Sequence, residues 1–139
     1  MPTEGAGRRA QGAGGSHPAV RSFRDLVAWQ RSIDLAEAVY RLSSRFPREE
    51  LYGLTAQIRR ASVSVSSNIA EGYGRETPAA YLHHLRIAKG SLREVETQLI
   101  IAQRVELAPA DAIERVLAVC DETGRVLYAL ISRREEMSR

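Results

Sequence analysis

The sequence is short of every residue type that would staple, anchor or arm a small protein. Its one cysteine, Cys120, cannot form an internal disulfide, and no metal-ligand spacing surrounds it, which points to a reducing compartment. No apolar run approaches the roughly 18 residues of a membrane-spanning helix. Near the start, Arg8 and Arg9 are followed by Ala10, Gln11 and Gly12 in place of an apolar signal segment, so a cytoplasmic protein with no membrane partner is predicted. Aromatic residues make up 6% of the chain while Leu, Ala and Val abound, the composition of a helical core built from aliphatic side chains. Lysine is nearly missing as well: all but Lys89 of the 20 basic residues are arginine, a bias to which GC-rich coding contributes.

Catalytic constellations are equally scarce. His83 and His84 are adjacent, so on a helix they point about 100° apart and cannot share a metal as an i, i+4 pair does. Together with His17 they read as solvated surface histidines. Cys120 falls on an expected apolar seam with no His placed as its base, and burial raises a thiol's pKa and silences it. Gly72-Tyr73-Gly74 has neither a preceding strand nor the Gly-Lys-Ser/Thr of a phosphate-binding loop. Glu94 and Glu96 diverge, and the Glu-x-x-His of a helical di-metal site does not occur. The reading is therefore no enzyme, no metal, no cofactor and no small-molecule substrate.

What remains is one domain's worth of chain, 139 residues at 44% hydrophobic, enough to bury a sizeable core. Residues 1–22 hold five of the ten glycines and almost nothing large and apolar. Such a stretch cannot offset the entropy of ordering and predicts a disordered tail. Its Arg8, Arg9 and Arg21 make it either an unconstrained extension or an arm that tracks phosphates.

From residue 23 to 137 the pattern predicts an all-α, antiparallel, up-down-up-down four-helix bundle. Leu26, Trp29, Ile33, Ala36 and Tyr40 form a first helical stripe that Leu35, Val39, Leu42 and Phe46 widen, ending before Pro47. Helix two is expected from near Glu49 to Tyr73, with Leu51, Leu54, Ile58, Ala61, Val65, Ile69 and Gly72 inward. Thr77 and Pro78 read as the cap and first residue of helix three. There Tyr81, Leu85, Ala88, Leu92, Val95, Leu99 and Ala102 keep a strict four–three alternation, the signature of a bundle seam. Pro109 marks the last turn, and Ile113, Leu117, Cys120, Gly124, Leu127 and Ile131 repeat the alternation in helix four.

Two helices carry more apolar surface than one seam uses. Helix four adds Val116, Val119, Thr123, Val126 and Leu130; helix two adds Ala56, Val63 and Ala70. Left exposed, such stripes mark an interface, which predicts self-association; the competing reading packs them inside the monomer. On helix two, Gln57, Ser64, Asn68 and Glu71 share a side, placed either to satisfy backbone groups or to reach a neighbouring subunit. Arg86, Lys89 and Arg93 line one flank of helix three, while Arg59, Arg60 and Arg75 lie on or just after helix two. With net charge +3, these read either as a solvated face or, summed around a symmetric ring, as a surface that attracts nucleic acid.

Several blocks carry a family resemblance: Phe23-Arg24-Asp25-Leu26-Val27-Ala28-Trp29-Gln30, Phe46-Pro47, Glu50-Leu51-Tyr52-Gly53-Leu54 and Gln57-Ile58-Arg59-Arg60-Ala61. Asn68-Ile69-Ala70-Glu71-Gly72-Tyr73-Gly74-Arg75 and Ile87-Ala88-Lys89-Gly90-Ser91-Leu92 complete them. Over about residues 23–132 the chain resembles the "four helix bundle protein" family, named for proteins encoded in intervening sequences of bacterial large-subunit ribosomal RNA genes. Ser66 stands where many relatives have proline, which implies altered curvature of helix two. The resemblance implies a cytosolic homopentameric ring. It also implies kinship with the accessory variability protein of diversity-generating retroelements, a basic barrel that binds nucleic acid and its reverse transcriptase. Two functions follow as expectations. The first is a non-enzymatic nucleic-acid-binding oligomer, acting with RNA, DNA or a reverse transcriptase through Arg59, Arg60, Arg75, Arg86, Lys89 and Arg93. The second is an adaptor oligomer that recruits a protein and ignores nucleic acid. Trp29, Gly72 and the surplus-stripe residues would be structural or interface positions in either.

Overall fold

The computed structural model describes residues 19–138, and the tail predicted over residues 1–22 lies outside them as far as residue 18. Four helices follow one another: α1 (Val27–Ser43), α2 (Leu54–Tyr73), α3 (Pro78–Arg104) and α4 (Ala110–Met137). Among the described residues there is no strand.

Local chemistry sets each boundary. Before α1, Ser22 Oγ accepts the Arg24 N–H at 3.1 Å while the Asp25 carboxylate accepts the Ser22 N–H, a reciprocal cap on a short 3-10 turn. Phe23 in that turn meets Trp29 edge-on, ring centroids 5.2 Å apart, which seats the turn on α1. α2 starts five residues later than its expected start near Glu49. Gly53, at φ −107° and ψ −115°, separates a 3-10 turn at Arg48–Glu50 from the helix, and the Glu50 carboxylate caps the Leu54 N–H at 3.2 Å. Leu51 thereby leaves the seam assigned to it and is half exposed. Thr77 Oγ1 caps Ala80 N–H at 3.1 Å with Pro78 first in α3, as the sequence predicts. α3 ends in a left-handed residue, Glu106 at φ 60°, with Leu107 N–H on Ala102 O and Glu106 N–H on Gln103 O. That is a Schellman turn without its usual glycine.

The helices form a square: each packs on its two neighbours, and the diagonal pairs α1–α3 and α2–α4 do not meet. Cross-links run in opposite order along each pair. Asn68 meets His84 while Gln57 meets Gln98, and Arg86 meets Glu135 while Gln103 meets Glu114. α3 is therefore antiparallel to both α2 and α4, and α1 runs against α4 in turn, its Arg31 meeting Glu122 while Arg41 and Arg45 near its end border Ala112 and Arg115. All seven residues of the α3 seam are buried, with Leu85, Ala88, Val95, Leu99 and Ala102 fully so.

Two stripe assignments change. α1 is rotated so that Ala28, Ser32, Leu35, Val39, Leu42 and Ser43 face the core, leaving Ile33 38% and Tyr40 45% exposed. Serine hid this face from a hydrophobicity reading. Ser32 and Ser43 donate back to the carbonyls of Trp29 and Tyr40, so they satisfy their own hydroxyls and enter the core as small side chains. The surplus stripe of α4 is consumed within the monomer: it faces α1, with Val116, Thr123 and Leu130 buried and Val119 and Val126 half-buried against the core. Thr123 Oγ1 lies 2.8 Å from Val119 O and 3.3 Å from Arg31 O on α1. On α2 the surplus survives, Val63 being 42% exposed between half-buried Ala56 and Ala70.

Candidate nucleic-acid interface

The six cations proposed from sequence divide over three faces. Arg59 belongs to the α1–α2 seam: its Nε donates to Ser43 Oγ at 2.8 Å, its NH2 group lies 3.4 Å from Tyr40 O, and its guanidinium covers the Tyr40 ring at 4.7 Å. Arg75, past the end of α2, is paired with Glu71 four residues back at 2.6 Å. Arg86 reaches across to Glu135 of α4 at 2.9 Å. Such exposed pairs contribute little to stability, and each offsets the charge of its arginine, so two of the six cations are neutralised. Among the described residues Arg60, Lys89 and Arg93 are in no ion pair.

Lys89 and Arg93 sit one turn apart on the flank of α3 that faces α4, and they converge on one ring. Lys89 Nζ is 5.1 Å and Arg93 Cζ 5.9 Å from the centroid of Tyr128, itself 38% exposed. Sequence reading found the two cations and missed the tyrosine. The signal was available: Tyr128 lies four residues after Gly124 and one after Leu127, hence on the α3-facing flank of α4. Arg60 lies apart, on a cleft of about 410 Å³ between α2 and α3 lined also by Gln57, Ala61, Ser64, Glu94 and Gln98.

Beneath that cleft runs a polar seam. Asn68 Nδ2 donates to Ser64 O at 2.9 Å and lies 3.1 Å from Ser64 Oγ, and Ser64 Oγ is 2.7 Å from Ser91 Oγ. With its amide so directed, Asn68 presents Oδ1 to His84 Nδ1 at 3.1 Å, so that nitrogen carries a proton and donates. His84 is thus half-buried and bonded, unlike the solvated His83 beside it. Gly72 closes the seam: an added Cβ there would stand 2.8 Å from His84 Cβ and 3.2 Å from Tyr81 O. Asn68 and Gly72 therefore hold α2 to α3, while Glu71 faces outward to Arg75. Gln57, also outward, meets Gln98 at 3.5 Å.

Other candidates for chemistry are silent. Cys120 is buried with its Sγ 3.9 Å from Leu92 O, and burial, with Glu96 and Asp121 adding to it, pushes its thiol up to about 12. Burial likewise raises the Tyr81 phenol against the pull of Arg134, whose guanidinium lies 4.9 Å from its ring. No group of three metal-ligating side chains gathers among the described residues, and no helix there is long and apolar enough to cross a membrane.

Comparison with known proteins agrees with this architecture. No curated protein matches the chain. A crystal structure from Bacteroides thetaiotaomicron, described as a protein of unknown function from the S23 ribosomal protein family, superimposes with a TM-score of 0.70 at 24% identity. The match covers 76% of this chain and 98% of that one, and shows the shared fold. The family model described as 23S rRNA-intervening sequence protein matches residues 24–129. A match across most of the chain, over the helices just described, settles membership: the chain belongs to the family of 23S rRNA-intervening sequence proteins.

Proposed function

We propose that the protein is a non-enzymatic, homo-oligomeric accessory protein that binds nucleic acid through the α3–α4 face. The observation that carries this reading is the pair Lys89 and Arg93, free of ion pairs and gathered over an exposed tyrosine. The two cations outnumber the one unpaired carboxylate beside them, Glu96; such a net positive edge is what a phosphate backbone recruits, and an adjacent aromatic ring is what a base uses. RNA or DNA as the polymer, and a reverse transcriptase as the partner, are what the family resemblance implies; the family's name records where its proteins are encoded. Self-association finds its support on the α1–α2 face, where Ile33, Tyr40 and Val63 are exposed along facing flanks. A pentamer is the subunit number the family resemblance implies. Each added subunit repeats the two free cations, so a ring turns a modest monomer charge into a strong field.

Replacing Lys89 and Arg93 together with Glu is expected to abolish mobility shifts of RNA and DNA at low salt, without altering the native mass of the assembly. Wild-type binding is expected to weaken steeply with salt. Unchanged shifts in the double variant would remove the reading. A flat salt dependence would instead favour an adaptor that recruits a protein, for which the 93% exposed Tyr52 beside half-exposed Leu51 is the supporting feature.

A further inference from the structure

Three tyrosines carry a cation over the ring from the adjacent helix, and they are not equivalent. Tyr40 is 45% exposed, but the Arg59 over it is tied by Ser43 Oγ and the Tyr40 carbonyl, so that cation is not free to leave the ring. Over Tyr81, Arg134 roofs a ring that is 6% exposed and whose hydroxyl is buried. Over Tyr128, neither Lys89 nor Arg93 has an ion-pair or hydrogen-bond partner among the described residues, and the tyrosine is 38% exposed. Both side chains are long and end in mobile heads, so the contact can open without breaking anything else. The ring itself is held from below. It lies near Gly124 on its own helix and borders a small notch of about 80 Å³ lined by Leu92, Glu96, Cys120, Asp121, Gly124 and Arg125.

We infer that Tyr128 is a stacking platform for an unpaired base, so that the α3–α4 face selects single-stranded nucleic acid; this rests on the nucleic-acid reading above. A cation over an exposed ring is held weakly, whereas a base stacked on an aromatic side chain is held more firmly. An incoming base therefore displaces Lys89 or Arg93 from the ring at little cost. The displaced head, still tethered one turn away, moves onto the phosphate that accompanies that base. One movement exchanges a weak cation–ring contact for a stack and a charge-assisted hydrogen bond. In a duplex the bases are stacked on each other and offer no free face, and only the phosphate contacts remain. The platform is sequence-tolerant because every base has a flat face; the discrimination is between unpaired and paired strands. Of the two acidic residues at the notch, Asp121 is paired with Arg125 on the same helix, and Glu96, three residues after Arg93, leaves one carboxylate against the two cations, so the edge stays net positive.

The test uses the full chain, fluorescence anisotropy and three labelled probes: an oligouridylate, an abasic strand of equal length and charge, and a duplex. The wild type is expected to bind the oligouridylate most tightly. Tyr128→Ala and Tyr128→Leu, the latter keeping apolar contact without a flat face, are expected to weaken it roughly tenfold, to the level of the abasic strand. Tyr128→Phe should restore it. Abasic and duplex affinities should stay unchanged in all three variants, while the Lys89 and Arg93 double Glu variant loses every probe. Equal binding of oligouridylate and abasic strand by the wild type, or Tyr128→Ala and Tyr128→Leu binding like wild type, would overturn the platform and leave phosphate binding standing. Failure of the wild type to bind any probe would overturn both.

Discussion

The two seams that flank α3 are built on opposite plans. Against α2 it packs a polar seam in which Ser64, Asn68, Ser91 and His84 bond one another; this seam fits closely at the Gly72 end, where the backbones approach, and opens into the Arg60 cleft at the other. Against α4 it packs aliphatic side chains with slack: a Cβ added at Gly124 would meet Leu92 Cδ2 at 3.5 Å and the Tyr128 ring at 3.8 Å, ordinary contact distances. The first seam is specified by hydrogen bonds and fit, so it fixes register. The second is specified by burial, so it tolerates adjustment and leaves its outer edge free for a ligand.

The comparison breaks most sharply at the two glycines. Gly72→Ala puts a methyl 2.8 Å from His84 Cβ and 3.2 Å from the Tyr81 carbonyl, atoms that no rotamer change can move. Overpacking of this kind costs about 1–3 kcal/mol, and the roughly 1 kcal/mol that alanine gains in helix propensity does not offset the upper half of that range. The expected outcome is a net loss of about 1–2 kcal/mol, read as a fall of several degrees in Tm and confirmed by a chemical-denaturation midpoint that shifts at constant slope. A variant as stable as wild type would mean that α2 and α3 slide freely and that their seam fixes nothing.

Asn68→Ala removes the hub and leaves the packing. It deprives the His84 Nδ1–H of its acceptor and Ser64 of a donor. Because both neighbours are half-buried, water replaces part of what is lost, and about 1 kcal/mol is expected. The measurement that isolates it is a double-mutant cycle with His84→Ala: a coupling near zero would show that the hydrogen bond does not contribute.

What the sequence made legible follows the same division. Aliphatic seams announce themselves by spacing, so the α3 alternation, the Thr77–Pro78 start and the bundle itself were readable. Faces built on serine were not, because a residue that bonds its own helix carbonyl counts as polar on any scale yet packs as small and apolar. That is why α1 was rotated away from Ser32 and Ser43, and why the surplus of α4 was assigned to a neighbour when α1 already covered it. At the candidate site, the individual cations were legible, as was the i, i+4 spacing of Glu71 and Arg75, but the pairings across helices were not. Arg59, Arg75 and Arg86 are engaged by residues from 4 to 49 positions away, and Lys89 and Arg93 meet on a ring 39 and 35 positions along (128 − 89 and 128 − 93). Spacing within α4 puts Tyr128 on the flank that faces α3, but does not say which α3 residues stand opposite it.

The gentlest substitution is also the most diagnostic of slack. Gly124 is buried in the middle of α4, where glycine costs up to about 1 kcal/mol relative to alanine. Its missing side chain leaves room that Leu92 and Tyr128 border without entering. Gly124→Ala is therefore expected to stabilise the bundle by somewhat under 1 kcal/mol, the propensity gain reduced by whatever crowding the 3.5 Å contact introduces. Thermal denaturation of Gly124→Ala beside Gly72→Ala, under one set of conditions, gives changes of opposite sign from the same chemical edit. A destabilised Gly124→Ala would show that the α3–α4 seam is as tightly fitted as its counterpart. The glycine would then be there to admit α3, as Gly72 does, and the freedom of the Tyr128 edge would need another physical cause.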